Sequence, residues 1–460
     1  MVENTKKELG VDQFIDQLKI TGLQKFVVTL CFIIAAIEGF DLAAIGFLAP
    51  AILEAFQLSP PQLAPLFLST LFGVMVGSVV CGPLGDKFGR KPLLIASVVF
   101  FSVASIMSGY AATLSTLIFW SFLKGVGVGG AMPSAVATVS EYCPNKHRSK
   151  LVIVMFCGYT LGAAIGGLAI GQLIPNIGWE GVLILGGVLP LALVPVLFLA
   201  LPESLRFLVT KNAAQDKIDR IVTKLVPNPA DRPSKLLPPA LSDSENKKVS
   251  VTVLFSKQYI LGTICLWTSF VMGTMIIYMV SSWMPTILKA DGYTVQHASY
   301  MTSAFQFGGT AGALIIAYFM DKMTPSRVLA TAYIVGALSV FLLYQGIFQV
   351  NTVLIIVGIF IIGFAISGAQ SGLFAITSGF YPTHCRVTGI AWASAFGRIG
   401  SLIGSTVVGW LMVSGMSTAE IVGLLAIPAT LTAVSMIIMT KFVMAKRQAA
   451  AQVNASVDAA

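Results

Sequence analysis

The sequence predicts an all-α membrane protein whose chain crosses the bilayer twelve times, in two pseudo-symmetric bundles of six transmembrane helices. Three observations carry that prediction. Mean hydropathy is +0.85, with 56% hydrophobic and 11% charged residues, the balance of a chain dissolved in lipid. Apolar runs of about 20 residues, the length that crosses a hydrocarbon core, recur six times before a hydrophilic stretch and six times after it. Finally, the basic residues are one-sided: with both termini inside, of the 29 Lys and Arg only Lys289 falls outward, and only Lys124 and Arg398 fall within spans, as the positive-inside rule requires.

In chain order, residues 1–25 form a cytoplasmic N-terminal segment in which Val11, Phe14, Ile15 and Leu18 repeat at helical spacing. That spacing predicts a short amphipathic helix on the membrane surface or a flexible tail. The N-terminal bundle occupies 26–201, with runs at 26–49, 64–84, 93–112, 115–139, 150–174 and 181–201. A proline-rich cytoplasmic central loop, 202–257, separates it from the C-terminal bundle at 258–440, and 441–460 form a polar cytoplasmic tail. No cleavable signal peptide is expected, because the N-terminus is polar and the first apolar run is long and carries acids.

The halves echo each other. Gly82-Pro-Leu-Gly-Asp86-Lys-Phe-Gly-Arg90-Lys91 follows the second run, and a degenerate copy, Asp321-Lys322-Met-Thr-Pro-Ser-Arg327, follows the eighth. Gly158, Gly162 and Gly166 in the fifth run have counterparts in Gly397, Gly400 and Gly404 of the eleventh; small residues at this interval let helices pack closely. A duplicated six-helix unit places a substrate site at the interface of its halves and exchanges access by rocking.

Composition excludes several functions. The net charge of +9 is accounted for by basic cytoplasmic loops and calls for no nucleic acid. Six scattered cysteines without CxxC spacing and three histidines suggest neither a disulfide framework nor a metal site. No HExxH, GxSxG or GxxxxGK pattern occurs, so an enzyme is not expected.

The chemistry lies in charges placed where lipid makes them costly. Glu38 and Asp41 are the only charges between Lys25 and Glu54, and a charge in mid-span costs about 2.5–3.5 kcal/mol on insertion scales. Three residues apart, they share a helix face. Proton coupling, direct recognition of substrate and a structural role are all open to them, and the two can share one proton. Arg398 lies twelve residues beyond Arg386, about 18 Å along a helix. Its guanidinium suits a carboxylate by paired hydrogen bonds; an internal ion pair with Glu38 or Asp41 is the alternative. Arg386, near the membrane surface, reads as a gate or loop contact. Tyr159, Tyr278, Phe305, Gln306, Gln370 and Trp392 are candidates to line a ring slot, the two amides foremost, because amides are costly in lipid. In the signature loop, Asp86 can cap a helix or pair with a base, and Arg90 can reach Glu141 to form a latch, with Asp321 in the matching place of the second half.

The loop GPLGDKFGRK resembles the signature loop of the major facilitator superfamily. Five further segments look like the aromatic acid:proton symporters within it: EGFD, GVGVGGAMPSAVATVSEY, LPESLRFLV, SSWMPTIL and YPTHCRVTGIAWASAFGRIGS. The resemblance covers nearly the whole chain. It implies import of an aromatic carboxylate of the 4-hydroxybenzoate, protocatechuate or benzoate kind across a bacterial inner membrane by alternating access. The expected partners are protons, the substrate and the bilayer, with no cofactor beyond H+, and the protein is expected to be a monomer. Two departures stand out: Glu38 replaces a frequent Asp, and Ser121 stands where these symporters usually carry Arg, with Lys124 one helical step further on the same side. Rival readings are a carrier for another organic acid (phenylpropanoid, muconate or another dicarboxylate), an exporter and, more remotely, a non-transporting sensor with 202–257 as its output module.

Overall fold

Helix is what the apolar runs become, since backbone inside hydrocarbon must satisfy its own N–H and C=O groups. The computed structural model describes residues 8–226, 228, 232–233, 235–238, 251–382 and 385–444. The first seven residues, parts of the 202–257 stretch and most of the 441–460 tail lie outside the described residues. The first five long helices are α2 (Gly22–Ala55), α3 (Ala64–Phe88), α4 (Arg90–Gly109), α5 (Leu114–Tyr142) and α6 (Asn145–Ala200). A shorter strand β1 (Glu8–Gly10) and helix α1 (Val11–Gln17) precede them. At 56 residues α6 would extend about 84 Å, too long for one crossing. Its backbone breaks at Gly178 (φ 67°, ψ −179°), so it supplies the fifth and sixth spans.

After α7 (Leu205–Thr210), α8 (Gln215–Leu225) and strand β2 (Lys235–Leu237) come α9 (Ile260–Ala290), α10 (Val295–Lys322) and α11 (Pro325–Phe348). The tenth span is α12 (Thr352–Ile362) and α13 (Gly368–Phe380), joined by a π turn at Gly363–Ser367. It is followed by α14 (Arg386–Val413) and by α15 (Thr418–Gly423) with α16 (Ala426–Ile438). Among the described residues eleven stretches are long and apolar enough to cross a membrane, and α6 is long enough to cross twice, giving the twelve predicted. Hydroxyl and amide caps start several of them: Thr113 accepts the Thr116 N–H, Thr294 that of His297, and Asn351 those of Val353 and Leu354, satisfying donors that a helix start leaves open.

The described chain forms two compact units. One comprises Met1–Leu42, Ser69–Ala163 and Ile177–Glu245, the other Ala43–Leu68, Ala164–Asn176 and Asn246–Ala460. Within each, the same close approach recurs. A Cβ on Gly162 of α6 would lie 1.9 Å from the Ala36 carbonyl oxygen of α2, and one on Gly400 of α14 would lie 1.9 Å from that of Val271 in α9. Only glycine admits such contacts, and they join fifth span to first and eleventh to seventh, as the duplicated pattern anticipates.

One local expectation is corrected. The amphipathic N-terminal helix does not spend its apolar face on lipid: Val11, Phe14 and Ile15 are buried in one core with Leu205, Leu208, Ile218, Ile221, Val222, Leu225 and Leu236. The reason lies in the stretch read as a loop, where Ile218, Ile221, Val222 and Leu225 stand at i, i+3, i+4 and i+7. They give α8 an apolar stripe that needs a partner. Parallel pairing of β1 with β2, Leu9 opposite Leu236, ties the two segments together. The signature loop is a tight turn: α3 continues through Gly82 and Gly85 to Phe88, and Gly89 turns the chain, at φ 103°, a conformation that glycine adopts without penalty.

Candidate functional site

The first unit encloses a buried charge cluster. Glu38 and Asp41 project from one side of α2, and Lys124 reaches them from α5; all three are 0% exposed. The glycines around Lys124 seat α5 tightly on its neighbours α3 and α4: a Cβ on Gly125 would lie 2.3 Å from the Thr70 carbonyl oxygen, and one on Gly127 2.6 Å from Phe101 Cβ. Lys124 Nζ is 3.2 Å from Asp41 Oδ2 and 3.5 Å from the Asp41 carbonyl oxygen. The first is a charge contact more than an aligned hydrogen bond, since Oδ2 has no hydrogen-bond partner among the described residues. Ser105 Oγ, in α4, stands 2.8 Å from Asp41 Oδ1 and 3.1 Å from the Leu183 carbonyl oxygen; its one proton can serve only one of these at a time. Neither oxygen of Glu38 has a partner among the described residues. Tyr159 is half-buried on α6, with its carbonyl oxygen 1.9 Å from where a Gly39 Cβ would stand, so the backbones of α2 and α6 touch between the two acids.

The second unit holds the cationic candidate. Arg398 is half-buried on α14, its carbonyl accepting from Ser401 Oγ at 2.7 Å. Within this unit no carboxylate among the described residues lies within ion-pair distance of its guanidinium. Tyr278 of α9 is close enough to feel its charge. Gln370 follows the π turn, an extra-residue widening that recurs at functional sites. Its Oε1 is buried with no partner among the described residues, 2.8 Å from where a Cβ on Gly273 would stand, and the Tyr333 hydroxyl, also without a partner among them, is 3.7 Å from the same point. Gln306 is half-buried on α10, its carbonyl accepting from Thr310. Phe305 is wholly buried, with its carbonyl against Gly363, so it packs the core. Trp392 is 40% exposed and stacks on Trp267, ring centroids 6.3 Å apart.

The signature turn assembles a third cluster, again in the first unit. Arg90 Nη2 lies 2.8 Å from Asp86 Oδ1, and its Nε is 3.1 Å from Glu141 Oε1, the reach expected of a latch. Glu203 completes it, Oε1 accepting the backbone N–H groups of Arg90 at 3.1 Å, Lys91 at 3.3 Å and Ser204 at 2.8 Å. Burial pushes the Glu203 carboxyl above the usual carboxylate range, and those donors pull it part of the way back. Asp321, the counterpart of Asp86 in the second half, is exposed, with no ion-pair partner among the described residues. Arg386 is exposed and donates to the Tyr381 carbonyl at 3.4 Å.

The sequence matches the Major Facilitator Superfamily over residues 31–405 and again over 292–458. The chain belongs to that superfamily. Among curated superfamily proteins it is 36% identical to the 4-hydroxybenzoate transporter PcaK of Acinetobacter baylyi, with 94% of each chain covered. It is 35% identical to the gallate transporter of Pseudomonas putida, over 93% of this chain and 94% of the other. Among solved structures, that of a D-xylose-proton symporter superposes with a TM-score of 0.71 at 16% identity, over 91% of this chain and 97% of that one. This likeness supports the fold; the superfamily match and the curated relatives are those of a transporter and not of an enzyme.

Three residues of this superfamily member escaped the reading by sequence. Ser105 is one small polar residue among many in apolar helices, and nothing in its spacing marks it. Tyr333 is likewise one of eleven tyrosines. Glu203 was legible in principle: it is the sole acid in LPESLRFLV and directly follows a proline at the end of the sixth span.

Proposed function

We propose that this protein imports an aromatic carboxylate of the 4-hydroxybenzoate, protocatechuate or benzoate kind together with protons, across a bacterial inner membrane, with both termini cytoplasmic. The observation that carries the reading is the Glu38 carboxyl, fully buried and without a partner among the described residues, beside an Asp41 already neutralised by Lys124. Two carboxylates and one ammonium leave a charge of −1, which burial penalises heavily. One proton on Glu38 makes the cluster neutral. While the site is closed the proton is retained; when the site opens to water, hydration of the carboxylate permits its release. This cluster therefore accounts for one proton per cycle, and one proton moving with a monoanion carries no net charge and draws on the pH gradient alone. Any use of the membrane potential requires a second proton.

Arg398 supplies the other half. A guanidinium without a carboxylate partner among the described residues of its own unit suits a substrate carboxylate by paired hydrogen bonds, and Tyr278, Gln370 and Trp392 offer polar edges and ring faces for the aromatic body. The relatives named for 4-hydroxybenzoate and gallate support this substrate class. The deciding experiment is uptake of labelled 4-hydroxybenzoate into proteoliposomes under an imposed pH gradient, with benzoate, protocatechuate, gallate and muconate as competitors. Aromatic monocarboxylates should compete, muconate should not, and a protonophore should abolish accumulation above equilibrium. Accumulation that survives the protonophore ends the proton-coupled reading.

A further inference from the structure

Apart from the transport site, the first unit carries a cavity of about 480 Å3 lined by Lys91, Glu203, Phe207, Lys217, Arg220 and Ile221. Three cations border it, and Lys224 lies near enough to Lys91 to add a fourth positive field. Among the described residues none of Lys91, Lys217, Arg220 and Lys224 has a carboxylate within ion-pair distance. The one acid in the wall, Glu203, sets its charge against Lys91 while its Oε1 accepts three backbone N–H groups, so a single carboxylate faces three bordering cations. Cations that converge on a cavity in excess of the one protein anion there define an anion site.

The apolar surroundings indicate which anion. Lys91 donates to the Phe198 carbonyl at 2.7 Å and lies over the Phe198 ring, 5.6 Å from its centroid. Phe198 and Leu199 are 65% and 83% exposed at the end of the sixth span, on apolar surface of the kind that acyl chains cover. A ligand in this cavity thus has its charge among Lys91, Lys217 and Arg220 and apolar surface next to it. Arginine with lysine is the donor set of phosphate recognition, the guanidinium binding two oxygens and the ammonium groups acting as point charges.

The geometry points to a binding site for a phosphate-bearing anion in this cavity, the headgroup of an anionic phospholipid or a free phosphate. The lipid is favoured by the adjoining exposed Phe198 and Leu199. Binding there tethers α8 to the start of α4, and so bears on the turn that carries the Arg90 cluster.

The test titrates purified full-length protein in neutral detergent with short-chain phosphatidylglycerol, with phosphatidylcholine of the same chain length as the uncharged control. Lys217→Gln with Arg220→Gln is expected to weaken phosphatidylglycerol binding roughly 25-fold, about fivefold for each charge removed. Lys146→Gln with Lys150→Gln, which removes the same charge from exposed positions that do not line the cavity, should leave binding within about twofold. Lys217→Gln alone should give the fivefold step should the double variant fold poorly. Equal losses in the two double variants, or no loss in either, overturn the proposal. Inorganic phosphate distinguishes the source: displacement of the lipid at similar concentration assigns the phosphate group by itself, and failure to displace it assigns the lipid, both results retaining the cavity as the site.

Discussion

Lys124 Nζ lies 3.2 Å from Asp41 Oδ2, and both side chains are closed off from solvent. A buried pair of this kind is costly to break from one side, because the charge left behind has no water to turn to. Lys124→Met is therefore expected to destabilise the folded protein by about 3–5 kcal/mol and to abolish uptake. Asp41→Asn combined with Lys124→Met leaves no stranded charge and should recover most of the melting temperature without recovering transport. Thermal unfolding in detergent, paired with uptake in proteoliposomes, checks both statements; a double variant no more stable than Lys124→Met removes the ion pair as the cause.

Glu38→Gln imitates the protonated acid permanently. The cluster then stays neutral in every state, so substrate exchange down its own gradient should persist while accumulation driven by a pH gradient is lost. Counterflow of labelled substrate near the wild-type rate, with no response to an imposed pH step, is the expected pair of results. A Glu38→Gln protein that still concentrates substrate in response to the pH step would move the proton to another group.

Arg398→Lys keeps the charge and removes the planar fork. Losing one of two parallel charge-assisted hydrogen bonds, each worth about 1.5–3 kcal/mol, should weaken substrate binding by roughly tenfold or more in a direct titration. Unchanged affinity would take Arg398 out of the role of anchor and leave the exposed Arg386 as the next cation to test.

How much of this was legible in the sequence follows from where each signal resides. The twelve spans, the duplication and the acids of the first span are properties of composition and spacing, and α2 through α16 follow them closely. Arg90 meeting Glu141 was also foreseen, because both sit at helix ends whose proximity a short turn imposes. The partner of Asp41 was not foreseen: Arg398 was the one cation considered for an internal ion pair with Glu38 or Asp41, and that Lys124 reaches Asp41 is a matter of three-dimensional packing that spacing along the chain does not reveal. The clasp formed by α1, α8 and the β1–β2 pair was missed because prolines in 202–257 suggested a loop, although the stripe of Ile218, Ile221, Val222 and Leu225 was there to be read.

Glu203 gives a pH test with a definite sign. Burial raises its carboxyl above the ordinary value of 4.5, so the folded state binds the proton more tightly than the unfolded one. The stabilisation this provides is fully present below pH 4.5 and is lost as pH rises through the raised value. Glu203→Gln, uncharged at all pH and still able to accept through its amide oxygen, lacks that dependence. Melting temperatures measured from pH 4.5 upward should therefore fall for the wild type relative to Glu203→Gln. A difference that stays flat, or changes in the opposite direction, contradicts the raised carboxyl.

Glu54 at the end of α2 and Lys289 in the last turn of α9 form an ion pair within the second unit. It accompanies a close approach of the same two helices, since a Cβ on Gly46 would lie 2.4 Å from the Ser281 carbonyl oxygen. Lys289 was the single outward basic residue in the sequence, and this pairing gives it a place. Because the Glu54 side chain is 68% exposed, the pair is screened and worth only about 0.2–1 kcal/mol, too little to hold the fold together. That is enough to alter the balance between two conformations by up to roughly fivefold. Lys289→Glu is accordingly expected to leave the melting temperature nearly unchanged while altering the uptake rate by a few-fold, and Glu54→Lys with Lys289→Glu should restore the rate by rebuilding the pair in reverse. The effect should shrink in high salt, where exposed charges are screened. A charge swap that fails to rescue, or an effect indifferent to salt, would show that Lys289 acts through packing and not through its charge.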